Sequence, residues 1–276
     1  MRSDSIVSPY SIGVIFLHPG CNMRCSYCVT EDSFSSMRQD QALGLLDFVA
    51  ERAINTLVLG GGEPFTWAPG VVALAGEAKR RGFVVQVGTN GVALPEGYEH
   101  SEAIDRYILP LDAADAATHN RFRRYAGNHH GLICERLDRL NAAGKAVTVS
   151  TVVTAQNIDS LAALGVFLAD YTLGGGRLHA WHLYRFIPEG RGGARHAKTL
   201  WVDEEAYHEA CAVVKAMDLG FRIYKRRDMR HSATVDFFWY EGERIVVGSE
   251  VWGAAAAQRG RRPGLNRLLA SQTVQE

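Results

Sequence analysis

Three cysteines lie close together near the N-terminus, at Cys21, Cys25 and Cys28, directly after the apolar run Gly13–Leu17. Their spacing is C-x3-C-x2-C. Three thiolates can bind three irons of a 4Fe–4S cluster and leave the fourth iron open to an exogenous ligand. In an electron-carrying ferredoxin, by contrast, protein ligands cap all four irons. The spacing therefore predicts a cluster that takes part in chemistry rather than one that only carries electrons.

A zinc knuckle is the main alternative for this cysteine loop. Structural zinc requires four ligands, usually supplied as two separated pairs. The remaining cysteines, Cys134 and Cys211, each stand alone, and His18 is the nearby residue that could act as a fourth ligand. Both isolated cysteines fall near apolar faces of predicted helices, which favours buried structural thiols. We therefore expect one iron–sulfur cluster and no second one.

The cysteine loop, with Tyr27 just before its last cysteine, resembles the signature of the radical S-adenosylmethionine (radical SAM) superfamily. The resemblance implies that the open iron chelates the amino and carboxylate groups of SAM. One electron from the reduced cluster then cleaves SAM to methionine and a 5′-deoxyadenosyl radical. The resemblance also implies cofactor contacts by Tyr27 and a reductant such as flavodoxin or ferredoxin.

A second motif, Gly60-Gly-Gly-Glu-Pro-Phe65, follows the second predicted strand. Glycine lets the backbone approach a ligand closely because it has no Cβ, and a carboxylate can accept hydrogen bonds from an ammonium group. The run resembles the family's GGE motif, which holds the amino group of SAM. This resemblance maps that role to Gly61, Gly62 and Glu63.

Three further segments occupy positions where the family lines its SAM pocket. Thr89 and Asn90 close the third strand in a T-N-G run, and Ser150 and Thr151 lie toward the end of the fifth. The fourth strand ends in Leu109-Pro-Leu-Asp112, where relatives often have Ser-Leu-Asp. Proline in place of that serine removes the hydroxyl contact to SAM at this position.

Short apolar runs alternate with segments of helical periodicity. Predicted strands are 13–17, 55–59, 83–88, 106–111, 146–153 and 178–186, and predicted helices are 39–52, 70–81, 131–143, 159–170 and 203–217. Strands rich in Val, Ile and Leu that alternate with helices predict a parallel α/β sheet with right-handed crossovers. Periodicity alone does not separate an open sheet from a barrel. The family resemblance implies a partial (β/α)6 TIM-like barrel with its chemistry at the C-terminal ends of the strands.

The pattern changes after residue 220. Short strands are predicted at 221–224, 234–240 and 243–247, with a tight turn at Glu241-Gly242. We therefore expect a radical SAM core over residues 10–200 and a small C-terminal β-containing extension over residues 201–253. The alanine-, arginine- and glutamine-rich stretch 254–276 is expected to be partly disordered.

Composition limits the class of protein. The chain has 276 residues, 47% apolar content and a formal net charge of zero, so binding to nucleic acid by overall charge is not indicated. No apolar run approaches the ~18–20 residues that span a membrane, and Met1–Ile6 lacks the apolar core of a secretory signal. The clustered, odd number of cysteines argues against a disulfide framework. Together these features predict a cytoplasmic protein whose oligomeric state is left open.

The sixth strand and the turn after it run from Trp181 to Arg191. The segment resembles one found in relatives of the molybdenum-cofactor and haem-modifying branches. Arg185 and Arg191 are candidates for binding an anionic group, because guanidinium matches carboxylate or phosphate geometry. The alternative is that Arg185 pairs with a structural carboxylate. The basic runs 119–124 and 225–231 are interpreted as solvated faces, and the pair His129-His130 as weak support for a metal site.

The sequence thus predicts a radical SAM enzyme that abstracts hydrogen from a small anionic substrate, such as a nucleotide or a natural-product intermediate. The plan loosely resembles viperin-like nucleotide dehydratases, although Ala146-Val-Thr-Val149 lacks the lysine expected there for phosphate. The alternative is a peptide- or protein-modifying enzyme, either a maturase of ribosomal peptides or a glycyl-radical activase. An activase would have a lysine in Asp112-Ala-Ala114. A non-enzymatic redox carrier would want a fourth cysteine ligand.

Overall fold

The computed structural model describes residues 11–32, 34–228 and 232–252. Its strands are β1 Ile12–Phe16, β2 Thr56–Gly60, β3 Val84–Gly88, β4 Arg106–Pro110, β5 Val147–Val153, β6 Leu178–Arg185, β7 Ile223–Arg226, β8 Val235–Glu241 and β9 Arg244–Val247. Its helices are α1 Gln39–Ala50, α2 Val71–Arg80, α3 Ala116–Phe122, α4 His129–Ala142, α5 Leu161–Leu173, α6 Gly190–Gly193, α7 Ala197–Leu200 and α8 Glu204–Ala216. The predicted strands and longer helices are confirmed. Helices α3, α6 and α7 were not predicted.

The strands form one sheet in the order β7-β6-β5-β4-β3-β2-β1-β8-β9. All neighbouring strands pair in parallel except β8 and β9, which form an antiparallel hairpin. Within the described residues, the end strands β7 and β9 do not pair with each other. The sheet is therefore open, which confirms the predicted partial barrel over a closed one.

The two faces of the sheet differ in burial. One face is covered by helices, and its side chains, such as Ile15, Leu57 and Leu183, are fully buried. Alternate residues such as Val14, Val58 and Ser150 point to the other side and are only half-buried. This second side is the inner surface of the partial barrel, and we call it the concave face. Any ligand at the mouth of the barrel meets residues of this face.

Helix starts are fixed by side-chain caps. Asp203 caps α8, as predicted, by accepting a hydrogen bond of 2.8 Å from the backbone N–H of Ala206. Asp115 caps α3 in the same way through the N–H of Thr118, also at 2.8 Å. The charged run that begins at His119 obscured this helix in the sequence. In its last turn His119 and Phe122 are buried, whereas Arg121 is exposed.

The C-terminal strands extend the barrel sheet at both ends. Strand β7 adds in parallel to β6, and β8 adds in parallel to β1. The predicted hairpin turn is confirmed: Gly242 adopts a left-handed φ of +61° between β8 and β9. The boundary near residue 200 stays a prediction, and the stretch 254–276 lies outside the described residues. Within the described ranges, none of the helices combines the length and the apolar character that a membrane span requires.

Candidate functional site

The cysteine loop connects β1 to α1 at the C-terminal edge of the sheet. All three cysteines are half-buried and free. The Cys21 sulfur accepts hydrogen bonds from the N–H of Met23 at 3.4 Å and from Asn90 Nδ2 at 3.6 Å. Arg123 Nη1 lies 3.6 Å from the sulfur of Cys25. Burial raises the pKa of Cys21 and of Cys25, so iron must displace protons when it binds these thiols.

The donor set fits an iron–sulfur cluster better than a single metal ion. Within the described residues, no three side chains of His, Cys, Asp or Glu converge on one ion position. Zinc demands such convergence, whereas each cysteine of a 4Fe–4S cluster binds a different iron. His18 Nε2 donates to the Glu63 carbonyl oxygen at 2.8 Å, which holds the imidazole ring against the GGE run. Cys21, Cys25 and Cys28 are therefore the residues that would hold the cluster.

Gly61 and Gly62 pack directly onto the cysteine loop. A Cβ on Gly62 would lie 1.8 Å from the carbonyl oxygen of Gly20. Gly61 has a φ of +117°, and its Cβ would lie 2.7 Å from the carbonyl oxygen of His18. The Gly62 N–H donates to that His18 carbonyl at 2.7 Å. Only glycine fits at these two positions, and the motif thereby fixes the cysteine loop against the end of β2.

The Glu63 carboxylate joins two loops. It is fully buried and accepts hydrogen bonds from the Phe65 N–H at 3.1 Å, the Thr89 hydroxyl at 2.7 Å and the Asn90 N–H at 2.7 Å. Burial raises the pKa of Glu63, and these three donors oppose that shift. The structure places the carboxylate inside the junction between the ends of β2 and β3. The contact with the amino group of SAM that the resemblance implied stays a prediction.

Thr89 and Asn90 extend this junction to the cluster loop. The Thr89 hydroxyl accepts a hydrogen bond from the N–H of Gly91 at 3.0 Å while it donates to Glu63. Asn90 Nδ2 donates to Asn22 Oδ1 at 2.7 Å as well as toward the Cys21 sulfur. The residues of the T-N-G run therefore lie beside the cysteines, although they are distant in sequence.

Ser150 and Thr151 lie on opposite faces of β5. Ser150 is half-buried on the concave face, beside Pro110 in the register of β4 and β5. Thr151 is fully buried on the helix-covered face, where it donates to the Leu111 carbonyl and accepts from Trp181 Nε1 at 2.8 Å. Neighbouring residues of a strand point in opposite directions, so Ser150 faces the concave space and Thr151 does not, and the SAM contacts expected for both stay predictions.

A buried ionic group lies beside Cys25. Arg123 Nε donates to Asp112 Oδ2 at 2.9 Å, and the Tyr27 hydroxyl donates to the same oxygen at 2.5 Å. The guanidinium also lies 4.9 Å from the centre of the Tyr27 ring. Burial alone would raise the pKa of Asp112, but Arg123 holds that pKa below its usual range. The Tyr27 side chain thus points into this group, and sequence reasoning missed Arg123 by placing it on a solvated face.

Two buried histidines connect Asp112 to Asn90. The Asp112 N–H donates to His119 Nδ1 at 3.0 Å, so His119 carries its proton on Nε2. That Nε2 lies 2.8 Å from His129 Nδ1, and His129 Nε2 lies 2.8 Å from the Asn90 carbonyl oxygen. Burial lowers the pKa of His119 to about 3 and that of His129 to about 4. Both rings are neutral supports of the site, and His129 is not placed to bind a metal.

Helix α6 closes over the other side of the cysteine loop. The N–H groups of Gly192 and Gly193 donate to the Cys28 carbonyl at 3.0 and 3.2 Å. A Cβ on Gly192 would lie 2.3 Å from the Cys25 carbonyl oxygen. Arg191 Nη1 donates to the Pro19 carbonyl at 2.8 Å and to Asp32 Oδ1 at 3.0 Å. The Gly-Arg run after the sixth strand therefore supports the cluster loop.

The two arginines predicted for substrate binding are both engaged with protein. Arg191 is held by the cysteine loop, and Arg185 forms an ion pair of 3.5 Å with Glu204 of α8. Arg185 shares the helix-covered face with Trp181 and Leu183, as the alternation predicted. The structural alternative for Arg185 is thus the one that the contacts favour.

Residues 15–166 match the Radical SAM superfamily, which is more than half of the chain. The chain belongs to the radical SAM superfamily. Membership implies SAM and an iron–sulfur cluster as cofactors, and it makes this protein a radical SAM enzyme. The matched span contains the three cysteines, the GGE run and the T-N-G run.

Relatives of this radical SAM protein have different named activities. An AdoMet-dependent heme synthase of Methanosarcina barkeri is 30% identical over 183 residues, which are 64% of this chain and 50% of that protein. An S-adenosylmethionine-dependent nucleotide dehydratase of Flammeovirga pacifica is 22% identical over 202 residues, 68% of this chain and 67% of that protein. The chain spans half the length of the Methanosarcina relative.

Solved structures agree on the fold. SuiB of Streptococcus suis, solved with its precursor peptide SuiA, superposes with a TM-score of 0.67 over 86% of this chain and 59% of that one. The sequence identity is 13%, so the likeness concerns the fold alone. It confirms the partial-barrel architecture of the radical SAM enzymes.

Proposed function

We propose that this enzyme reductively cleaves SAM and abstracts hydrogen from a small anionic substrate held on the concave face. The observation that carries the proposal is the cysteine loop, fixed by Gly61 and Gly62 at the C-terminal edge of an open parallel sheet. When bound, the cluster and SAM supply a 5′-deoxyadenosyl radical. The remaining tasks of orientation and exclusion of water fall to the protein.

The residues divide these tasks. Cys21, Cys25 and Cys28 would bind one cluster, since Cys211 is buried elsewhere and Cys134 lies beside His130 at 3.7 Å. The backbone of the GGE run and the side chain of Asn90 would orient the methionine part of SAM. Ser150 faces the same concave space from β5. An external flavodoxin or ferredoxin in a reducing cytoplasm would supply the electron.

The charge of the concave face supports an anionic substrate. Among the concave-facing positions of β2 to β7 there is no Asp or Glu, whereas Arg106 and Arg226 occupy two of them. Burial, and then the positive charges of Arg226 and Arg106, lower the pKa of His182 to about 3. A nucleotide, the substrate class named for the Flammeovirga relative, is anionic and agrees with this surface.

The test is an anaerobic turnover assay. Protein reconstituted with iron and sulfide is mixed with dithionite and SAM, and 5′-deoxyadenosine is quantified alongside a Cys25→Ala control. Product that depends on Cys25 supports the proposal. An intact cluster with bound SAM that yields no product, with or without nucleotides and precursor peptides, contradicts it. If a peptide stimulates formation of 5′-deoxyadenosine and no small anion does, the proposed substrate class is wrong but the proposed reaction stands.

A further inference from the structure

Four side chains of β6 and β7 meet on the concave face: His182, Tyr184, Tyr224 and Arg226. We call them the β6–β7 cluster. His182 Nδ1 lies 3.2 Å from the Tyr184 hydroxyl. The His182 and Tyr224 rings meet edge to face with centres 5.2 Å apart, and the Arg226 guanidinium lies 5.3 Å from the centre of the Tyr224 ring. The cluster is thus held together by its own contacts.

Arg226 differs from the nearby arginines Arg185 and Arg227 because they pair with a carboxylate and it does not within the described residues. Arg227 and Arg185 both bind Glu204, at 2.8 and 3.5 Å. For Arg226, no ion pair with a carboxylate occurs within the described part of the chain. Its charge is held in place by Tyr224, which remains 37% exposed. A guanidinium that is already oriented and lies on an accessible surface can bind a carboxylate or phosphate group through bidentate hydrogen bonds.

We infer that the β6–β7 cluster is the subsite for a carboxylate or phosphate group of the substrate. The inference rests on the proposed function and locates its substrate. Arg226 supplies the charge, and the hydroxyls of Tyr184 and Tyr224 supply further donors. Tyr184 and Arg226 are neighbours in the register of β6 and β7 and lie near the C-terminal ends of these strands, the edge that also carries the cysteine loop.

Neutral partners make the subsite selective for anions. Burial raises the pKa of Tyr184, so its hydroxyl keeps its proton and can donate. His182 is neutral at physiological pH, so one proton of the His182–Tyr184 pair lies in their mutual hydrogen bond and the other can be donated to the anion. Arg106, from β4, adds a second positive charge that acts on the same histidine. A cationic substrate group would meet repulsion here without any compensating carboxylate.

The experiment compares two adjacent arginines in the reconstituted enzyme with SAM bound. Equilibrium dialysis measures binding of radiolabelled inorganic phosphate and, separately, of succinate. Arg226→Gln is expected to weaken binding of the preferred anion roughly tenfold or more, because a charge-assisted hydrogen bond is lost. Arg227→Gln, whose side chain binds Glu204, is expected to bind the anion as the wild type does. The probe that binds more tightly to the wild type, phosphate or succinate, shows whether the subsite takes a phosphate or a carboxylate group.

Three results would overturn the subsite. They are unchanged binding in Arg226→Gln, equal weakening in Arg227→Gln, and binding of neither anion to the wild type. Formation of 5′-deoxyadenosine without substrate is measured on the same samples. If SAM is cleaved but no anion binds, the subsite fails while the proposed reaction stands. If Cys25-dependent cleavage is absent both without and with added nucleotides or precursor peptides, the proposed reaction itself fails.

A second, independent observation concerns Arg123. This residue ends α3 and is 9% exposed, and the Ser26 N–H donates to the neighbouring Phe122 carbonyl at 2.9 Å. Its guanidinium lies between two groups, with Nε on Asp112 and Nη1 3.6 Å from the sulfur of Cys25. The positive end of a buried ion pair thus points at a cluster ligand.

We propose that Arg123 raises the reduction potential of the cluster when the cluster is bound. Reduction adds negative charge, and charge and hydrogen bonds near cysteinyl sulfurs set the potential of iron–sulfur clusters. Asp112 offsets part of the positive charge, and the Tyr27 hydroxyl weakens that offset by donating to the carboxylate. Arg123 is therefore a positioning and tuning residue for electron transfer.

The test is a potentiometric titration of the reconstituted enzyme followed by electron paramagnetic resonance. Arg123→Gln is expected to lower the ratio of reduced to oxidised cluster about tenfold at a fixed potential, a negative shift of about 59 mV for one electron. Arg123→Lys should shift less. The control is Arg124→Gln, since Arg124 is exposed and contacts His196 at 3.4 Å.

A potential in Arg123→Gln equal to that of the Arg124→Gln control would overturn this proposal. If Arg123→Gln fails to retain iron, the reduction potentials of Arg123→Lys and Tyr27→Phe test the proposal in its place. Tyr27→Phe leaves the Asp112 charge less compensated and should shift the potential in the negative direction. Unchanged or more positive potentials in both of these variants would also contradict the role of Arg123.

Discussion

At the scale of the residue, the site depends on buried polar groups whose hydrogen bonds are satisfied by the protein itself. Glu63 is the clearest case, because all three of its partners are hydrogen-bond donors. A carboxylate can accept from all of them, whereas an amide must turn one of its own N–H groups toward another donor. The charge of Glu63 is therefore needed for the junction between the GGE and T-N-G runs.

We expect Glu63→Gln to lower the free energy of unfolding by about 1–3 kcal/mol, since one buried donor loses its acceptor. Urea unfolding of the reconstituted enzyme would measure this loss. Equilibrium dialysis of SAM should show weaker binding, because Asn90 loses its anchor. The surface variant Glu77→Gln serves as control and should leave SAM binding unchanged. Wild-type stability and SAM affinity in Glu63→Gln would contradict the role given to this carboxylate.

The buried histidines give a pH dependence with a definite sign. His119 and His129 have pKa values lowered to about 3 and about 4 from 6.5. Between pH 6.5 and about 4 the unfolded chain binds protons that the folded protein does not. Stability is therefore fully present above that window and falls as the pH drops through it, by up to ~1.4 kcal/mol per pH unit for each histidine.

We expect His129→Gln to flatten this decline relative to the wild type. Urea unfolding at several pH values between neutral and mildly acidic gives the slope directly. His100→Gln, a change at an exposed histidine, is the control for altered surface composition. Parallel slopes for His129→Gln and the wild type would show that His129 does not contribute.

At the scale of the element, the cluster loop is held by backbone packed on backbone. Gly62 of the GGE run contacts it on one side, and Gly192 of α6 contacts it on the other. The motif around Gly62 was recognised in the sequence, but as a place where the backbone approaches a ligand rather than the cysteine loop. The contact by α6 was not predicted, since this helix has four residues and no periodic pattern. A Gly-Arg-Gly-Gly run shortly after the end of β6 was its signal in the sequence.

We expect Gly192→Ala to reduce cluster occupancy, because its Cβ would overlap the Cys25 carbonyl oxygen and displace the loop. Iron and sulfide content per chain after reconstitution measures the effect. Gly144→Ala is the control for loss of a glycine, since a Cβ there meets no atom within 4 Å. Full occupancy in Gly192→Ala would mean that the loop can move without losing iron.

At the scale of the whole molecule, the C-terminal strands stabilise the strand that leads into the cysteine loop. Strand β8 pairs with β1, and β1 leads directly into the cysteines. Phe238 of β8 is fully buried, and its ring lies 3.3 Å from where a Cβ on Gly13 would be. The extension is therefore part of the core that fixes the site.

We expect Phe238→Ala to lower the free energy of unfolding by about 3–5 kcal/mol through the cavity that it leaves. Phe238→Leu should cost less, because it keeps most of the buried volume. Chemical denaturation followed by circular dichroism compares the variants. A small loss in Phe238→Ala would show that β8 is only loosely attached to the barrel.

Much of this architecture could be predicted from the sequence. The alternation of apolar strands and helices gave the sheet, and the cysteine spacing with the GGE run gave the cofactors. The face to which each side chain points was harder to predict from the sequence. Thr151 was grouped with Ser150, and Arg123 was assigned to a charged surface, because chain proximity and charge do not reveal which face a residue takes.

The cofactor chemistry and the order of elements can be predicted from the chain alone, since both depend on local spacing and periodicity. Which charges are buried against Cys25, and which remain open on the concave face, depends on how the strands and helices pack. Arg123, Arg185, Arg226 and Arg227 look alike in the sequence. Their roles differ because strand register and helix packing give a carboxylate to three of them and leave Arg226 facing the barrel mouth.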